Sequence, residues 1–379
     1  ISLIALGSLL TLERWRYGLY VAVMIAAIQD PVRKSMPGAP GYLVMATAPL
    51  LVMVIISFIS HRSGWWREVA WRFPPIDRAM RIFIIACLPA VVISATYGPG
   101  SWMLTLLGIL SYGTLLMLIV VGYHFPRRID DIRKFLAFYC LVTSVMLLGG
   151  PMQYLGLWPD SLLLGTKAME MDWIRYGSGY IVNMIAGFYR SPDVMGWHAA
   201  AVVMLSMILA MTARDTSRWL WLLLGAGAVI ALLLCGRRKM VYMIPAFIVS
   251  IAALQLMSGG HKKVLSRLGM VLIPLAALWL GQVWMGEDAE QIRYYTDNPQ
   301  DTSVQLKGHG IDSVITTYNQ AGFFGSGMGV ATPGSHHLQV ARPRVWQESG
   351  PSRVMVELGV PGLLALVFLL TTILRTAWG

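Results

Sequence analysis

Residues 82–123 read IFIIACLPAVVISATYGPGSWMLTLLGILSYGTLLMLIVVGY, without one charged side chain. The run is about twice the length a helix needs to cross ~30 Å of hydrocarbon. Tyr97-Gly-Pro-Gly100 stands at its middle. Gly and Pro placed together mark a tight turn, so the stretch reads as two helices joined there. The same pattern continues in both directions, with uncharged runs at 42–60, 194–213, 219–236, 240–260 and 268–286, and two more at 135–150 and 354–374. Near the start, 1–12 and 17–29 are shorter apolar runs separated by Glu13-Arg-Trp-Arg16. About eleven spans are legible, and twelve are expected of the full protein. The fold class is therefore all-α, a polytopic transmembrane helix bundle forming a single integral membrane domain over 1–379. A β-barrel would need alternating segments of about ten residues, and the sequence has none.

Composition supports this reading. Apolar residues make up 56% of the 379 positions and charged residues 13%, about half the charge of an ordinary soluble domain. The formal charge of +11 would raise nucleic-acid binding in a soluble protein. Here the Lys and Arg residues sit in short loops, as membrane topology places them, so no nucleic-acid partner is expected. Cys87, Cys140 and Cys235 all fall within apolar runs, without a CxxC or a His/Cys cluster. Neither a disulfide framework nor a metal site is expected, and no cofactor. The chain opens on Ile without a basic leader, which reads as a trimmed start. Neither early segment has the form of a signal peptide.

Basic loops set the orientation. Residues 61–81 carry Arg62, Arg67, Arg72, Arg78 and Arg81 against Glu68 and Asp77, which places them in the cytoplasm. Counting onward, 97–100 is outside, 124–134 inside and 151–193 outside. Residues 214–218 and 261–267 then fall inside, the latter with Lys262 and Lys263. This register leaves Gly236-Arg-Arg-Lys239 outside, where the positive-inside rule expects few cations. One explanation is snorkelling of Arg237, Arg238 and Lys239 to lipid phosphates. The other, which we favour, is that three cations at the mouth of a bundle bind a diphosphate, because the planar guanidinium fork matches phosphate oxygens.

Two outer loops are long, 151–193 and the larger 287–353. Long loops inside a compact domain are usually functional or disordered. The first carries Trp158, Trp173, Tyr176, Tyr180, Phe188 and Tyr189, suited to a membrane interface or to stacking on sugar rings. The second includes 311–320, which reads as a short helix. Its Gly325-x-Gly-x-Gly329 follows no strand and opens no βαβ unit, so a nucleotide loop is rejected. Tight turns or close backbone approach explain these glycines better. His336 and His337 are adjacent and cannot easily chelate one metal; they are surface histidines or acid-base candidates. Glu348 and Glu357 are stronger candidates, since Glu357 stands at the start of an apolar span where an ionisable group needs a partner or a task. Asp193 reads as a helix cap, whereas Arg190 has no evident structural reason. Arg190, Arg237, Arg238, Lys239, Arg353, Glu348 and the two histidines all share the outer side in this topology. That convergence points to an extracytoplasmic anionic substrate.

Four pieces in this order resemble the O-antigen ligase and O-antigen polymerase-like membrane proteins. They are Gly187-Phe-Tyr-Arg-Ser-Pro-Asp-Val-Met-Gly196, Leu234-Cys-Gly-Arg-Arg-Lys239, Phe324-Gly-Ser-Gly-Met-Gly329 and Val356-Glu-Leu-Gly-Val-Pro-Gly362. The resemblance covers roughly 187–370; the first 150 residues match only as generic spans. It implies a GT-C-like bundle in the bacterial cytoplasmic membrane with its active site facing the periplasm. It also implies an inverting, metal-independent transferase that takes a glycan from an undecaprenyl diphosphate carrier. On that basis Arg237 would hold the diphosphate and Arg190 would be a second phosphate contact. The family commonly carries His-Asn about nine residues before the Glu-x-Gly of the last span, and this chain has Glu348-Ser349 there. The departure leaves Glu348, His336 or His337 as the base, or means that catalysis was lost. The alternatives are a transporter or flippase for lipid-linked glycans, and a non-catalytic subunit working with polysaccharide assembly partners. The topology has a direct check. A Lys239→Cys variant is expected to be labelled by an impermeant thiol reagent in intact spheroplasts, and protection there with labelling of Arg128→Cys overturns it.

Overall fold

The turn at the centre of the opening run divides it as expected: one helix ends at Ala95 and the next begins at Ser101. The computed structural model describes residues 7, 11–36, 40, 43, 46–157, 173–176, 181–213, 215–257, 311–335, 338, 340–341, 345 and 349–378. Their helices are α1 (Trp15–Ser35), α2 (Thr47–His61), α3 (Trp65–Arg72), α4 (Pro74–Ala95), α5 (Ser101–His124), α6 (Ile129–Leu147) and α7 (Gly149–Tyr154). After a small ribbon come α8 (Pro192–Thr212), α9 (Ser217–Leu234), α10 (Arg238–Met257), α11 (Ile311–Ala321) and α12 (Gly350–Trp378). The ribbon pairs β1 (Ile174–Tyr176) antiparallel with β2 (Ile181–Asn183), Ile174 opposite Asn183. Apart from these strands the described framework is helical. The expected short helix at 311–320 is α11. The expected spans at 1–12 and 268–286 fall largely or wholly outside the described residues.

Among the described residues five helical segments are long and apolar enough to cross a membrane: Ser101–His124, Ile129–Tyr154, Pro192–Thr212, Ser217–Leu234 and Gly350–Ala377. The α2–α3 pair adds a sixth if its 87° bend lies within one span. Ile85, Val92, Leu223, Val249 and Leu364 each leave more than half of their surface uncovered. Rows of large apolar side chains turned outward are costly in water and unremarkable in lipid.

The chain divides into two compact units, Ile1–Leu19 with Ala48–Phe125 and Gln300–Gly379, and Tyr20–Thr47 with Pro126–Pro299. In the first, α4 packs along α12, and α11 rests on α12. Phe58, Phe83, Leu104, Leu358 and Leu369 are buried there. At one end Arg16 donates to the carbonyls of Phe125 (2.9 Å) and His124 (3.1 Å), which satisfies orphan acceptors at the end of α5. At the other end the Tyr97 hydroxyl donates to the Ser326 carbonyl at 2.5 Å, and the Met328 N–H donates to the Ala90 carbonyl at 3.0 Å. The 96–100 turn and the glycine-rich loop therefore share an end of this unit.

The expected piece at 356–362 does not open the last helix but interrupts it. Gly359 has φ 67° and ψ −165° inside α12, and Pro361 has no N–H for the ladder. The break removes the bond that the Val360 N–H would have made to the Val356 carbonyl. The glycine-rich loop replaces both halves. Val360 donates instead to the Phe323 carbonyl at 2.8 Å, and the Val356 carbonyl accepts from Ser326 N–H at 2.6 Å. Non-helical backbone at membrane depth is tolerated where protein takes up the freed groups in this way. A Cβ on Gly359 would lie 2.2 Å from the Phe323 carbonyl oxygen, and one on Gly325 would lie 2.6 Å from the Gly359 nitrogen. Close backbone approach thus explains these glycines, with a helix as the neighbour.

In the second unit α8 is the central helix, with α6, α9 and α10 against it. Met195, Ala199, Ala200, Val202 and Val203 on α8 are buried against Ala231, Leu232, Cys235 and Met240. Small residues at such contacts let helix backbones approach closely. Gly359→Ala is expected to cost about 2 to 4 kcal/mol, from left-handed backbone strain plus overpacking. Gly113→Ala, whose Cβ would meet nothing within 4 Å, is expected to be neutral; thermal unfolding in detergent compares the two.

Candidate functional site

Three stretches converge at one end of the second unit: the end of α1, the segment entering α8, and the α9–α10 turn. The entering segment is stitched to its surroundings through backbone groups. Ile185 N–H donates to the Leu234 carbonyl at 3.2 Å, which fastens it to the end of α9. Gly187 N–H donates to Gln153 Oε1 at 2.8 Å. The Gly187 carbonyl accepts from Lys34 Nζ at 2.6 Å, an amine that burial pushes down to a pKa of about 7. Ser191, in extended conformation, caps α8 by accepting from Val194 N–H at 3.4 Å. The cap is therefore Ser191, and Asp193 in the first turn has another task.

That task is ionic. Asp193 Oδ2 lies 2.5 Å from Arg237 Nη2, and Asp193 Oδ1 lies 3.2 Å from Lys239 Nζ. The Arg237 side chain keeps 12% of its surface exposed, Asp193 28% and Lys239 56%. Arg237 Nε is buried without an acceptor among the described residues. Two of the four expected sequence pieces, 187–196 and 234–239, are thus brought into direct contact here.

Arg190 has a structural partner that the sequence did not reveal. Its backbone N–H donates to Asp30 Oδ2 at 3.1 Å, and its guanidinium lies 3.9 Å from Asp30 Oδ1. Asp30 is 3% exposed, so its carboxylate is buried beside Arg190. Asp30 and Lys34 stand four residues apart, on one face of α1. In the sequence they only flank an apolar run, and nothing marks them as inward-facing. A further pair lies on α8, where His198 Nδ1 is 2.8 Å from the Tyr139 hydroxyl and the imidazole stacks on Tyr189 at 5.0 Å. Tyr189, expected to serve a membrane interface or a sugar ring, is a core residue at 2% exposure. Phe188 is likewise committed, since it lies directly over Gly149.

The remaining candidates belong to the first unit. Glu357 is fully buried and accepts from the Tyr112 hydroxyl (2.6 Å), Ala331 N–H (2.8 Å) and the Thr332 hydroxyl (2.8 Å). Its partners are internal, so its carboxylate pins the 330–332 turn to α12 and α5. Arg353 stands one helical turn before it, its Nε buried without an acceptor among the described residues. Glu348, His336 and His337 lie outside the described residues, and so does any geometry for the acceptor-activating base. Phe324–Gly329 and Val356–Gly362, the other two expected pieces, meet at the Gly359 break.

No protein-family model, no curated protein and no solved structure matches the chain. The arrangement itself can do two things. The 190–193 and 237–239 cluster offers guanidinium and ammonium groups at a bundle end, suited to an oxyanion. The Glu357 set offers no open valence and reads as architecture. Glu357→Ala, which strands three donors, is expected to lower stability by about 3 kcal/mol, whereas Glu357→Gln keeps one carbonyl acceptor and loses less; chemical or thermal unfolding in detergent measures both.

Proposed function

We propose that this chain is a polysaccharide polymerase or ligase. It moves a glycan from an undecaprenyl diphosphate carrier to an acceptor hydroxyl at the periplasmic face of a bacterial cytoplasmic membrane. The observation that carries the reading is the meeting of Arg237 and Lys239 with Asp193, three residues after Arg190, at one end of one helical unit. These residues come from the two sequence pieces in which the family resemblance places phosphate contacts. In the full protein we take the bundle to have about twelve spans and the GT-C-like arrangement.

In this reading the acceptor oxygen attacks the anomeric carbon while the bond from that carbon to the diphosphate oxygen breaks. The diphosphate leaves with the electron pair, and the hydroxyl proton passes to a base. Arg237, Arg190 and Lys239 meet the charge that grows on the leaving group, with Arg238 on the same turn. Fixed cations of this kind act most strongly when they face charge that develops in the transition state. Positioning of the two sugars supplies the rest. Glu348, His336 and His337 remain the candidates for the base.

A transporter for lipid-linked glycans is the second reading, favoured by the broken helix α12, because transporters use discontinuous helices at their sites. The backbone groups freed at Gly359 are taken by the 323–326 loop and offer no opening to an ion, which weighs against it. Arg237→Ala and Arg190→Ala are expected to reduce glycan transfer by about ten-fold to several hundred-fold, with folded protein retained on thermal unfolding. Arg72→Ala, at the cationic turn before α4, is expected to change transfer little. Wild-type turnover by both outer variants removes the diphosphate reading.

A further inference from the structure

The two carboxylates of the cationic cluster are held in opposite ways. Asp30 is buried and bonded to the Arg190 backbone; to release it would strand charged and polar groups away from water. Asp193 is partly exposed, is not needed as the cap of α8, and touches only the charged ends of Arg237 and Lys239 among its ionic partners. Its two oxygens each face a different cation, Oδ1 toward Lys239 as an ion pair without a hydrogen bond, and two oxygens of a phosphate group could take the same two places. The match to Arg237 is incomplete. Asp193 engages Nη2, while Nε, on the same edge of the guanidinium, is buried and has no acceptor. That edge suits a pair of oxygens from one anion, and a phosphate group with its further oxygens could engage Nε and Nη2 together and still reach Lys239.

We infer that Asp193 is a displaceable internal counter-ion, which occupies the phosphate position between Arg237 and Lys239 until a diphosphate takes its place. The inference rests on the diphosphate reading above and adds the residue that sets the affinity. Without an anion, two cations this close would repel one another and spread, so the carboxylate keeps the site assembled. Once displaced, the carboxylate remains in the first turn of α8, where the helix dipole favours negative charge. Binding is then an exchange of one anion for another. The lipid-diphosphate product is held less tightly than the bare cations would hold it, which suits a site that must release a leaving group at each turnover.

A residue that merely orients Arg237 has the opposite signature, so the sign of one measurement decides. The full-length chain in nanodiscs of phosphatidylcholine is titrated with inorganic pyrophosphate. In a second arm undecaprenyl diphosphate is built into the discs, and in a third phosphatidylglycerol, to separate a soluble diphosphate, a lipid-borne one and a generic anionic lipid. Asp193→Asn is expected to bind the two diphosphates about ten- to hundred-fold more tightly than wild type, the change that corresponds to one charge-assisted contact no longer opposed. Asp193→Ser is expected to move the same way, so the outcome does not hang on one variant's folding, and Asp193→Glu to stay near wild type. Equal or weaker binding by the Asn and Ser variants, with wild-type binding intact, overturns the counter-ion and leaves the diphosphate reading standing. Tightening confined to phosphatidylglycerol also overturns it. Absence of diphosphate binding by wild type and variants alike overturns both.

Discussion

Inside an apolar medium every backbone N–H and C=O must find a partner, and the Gly359 break in α12 shows how much of the first unit follows from that one requirement. An unsatisfied amide there costs about 2 to 7 kcal/mol. The break at Gly359 frees Val356 C=O and Val360 N–H, and the loop at 323–326 returns to bond both. For that loop to come close enough, a glycine must stand on each side of the contact. Glu357 then holds the next turn of the same loop through Ala331 and Thr332 and reaches Tyr112 on α5. Loop, broken helix and buried carboxylate form one joint, and each part has its reason in the other two.

The second unit meets a similar requirement with charge. Arg190, Arg237 and Lys239 are drawn to one end of the α8 bundle, Arg190 by Asp30 and the other two by Asp193. A partly exposed ion pair such as that of Lys239 with Asp193 contributes at most about 1 kcal/mol to stability. Its presence is therefore poorly explained by folding alone and better explained by what it does to the cations. The Asp30 contact differs because it is buried, and removal of one partner would leave the others uncompensated. In the proposed reading, Asp30 holds Arg190 in place while Asp193 is free to leave Arg237 and Lys239.

Much of the helical framework could be read from residue patterns, because a span needs only an uncharged run of the right length. The helices α5, α6, α8, α9 and α10 fall on such runs and α11 on the short stretch read as a helix, while α4 begins eight residues before its run. Candidate residues were legible less evenly. Arg237 stood out because it lies in a turn that the charge register reads as outer, where few cations are expected, and the structure gives it and Lys239 an ionic partner. Asp193 was visible but misjudged as a cap, since a serine two residues earlier serves equally well by local rules. Tyr189 looked like a surface aromatic because it lies in a long loop, yet the loop dives back against α8 and buries it. Asp30 and Lys34 carried no signal at all, for the direction of a side chain at the end of an apolar helix is set by neighbours that are distant in sequence.

The amino-acid sequence by itself determined that the chain is largely helical, that several of its helices are apolar enough for a membrane, and where most of them turn. These properties are local: they depend on composition and on the order of residues over one or two dozen positions. Only the tertiary structure decided that the four quoted pieces act as two pairs, one closing the break in α12 and one assembling Arg237 with Asp193. It also decided that Glu357 is internally satisfied and that Asp30 lies under Arg190. Pairing of this kind depends on contacts between residues 26 to more than 200 positions apart, and no local pattern encodes which distant group will supply a missing hydrogen bond or charge.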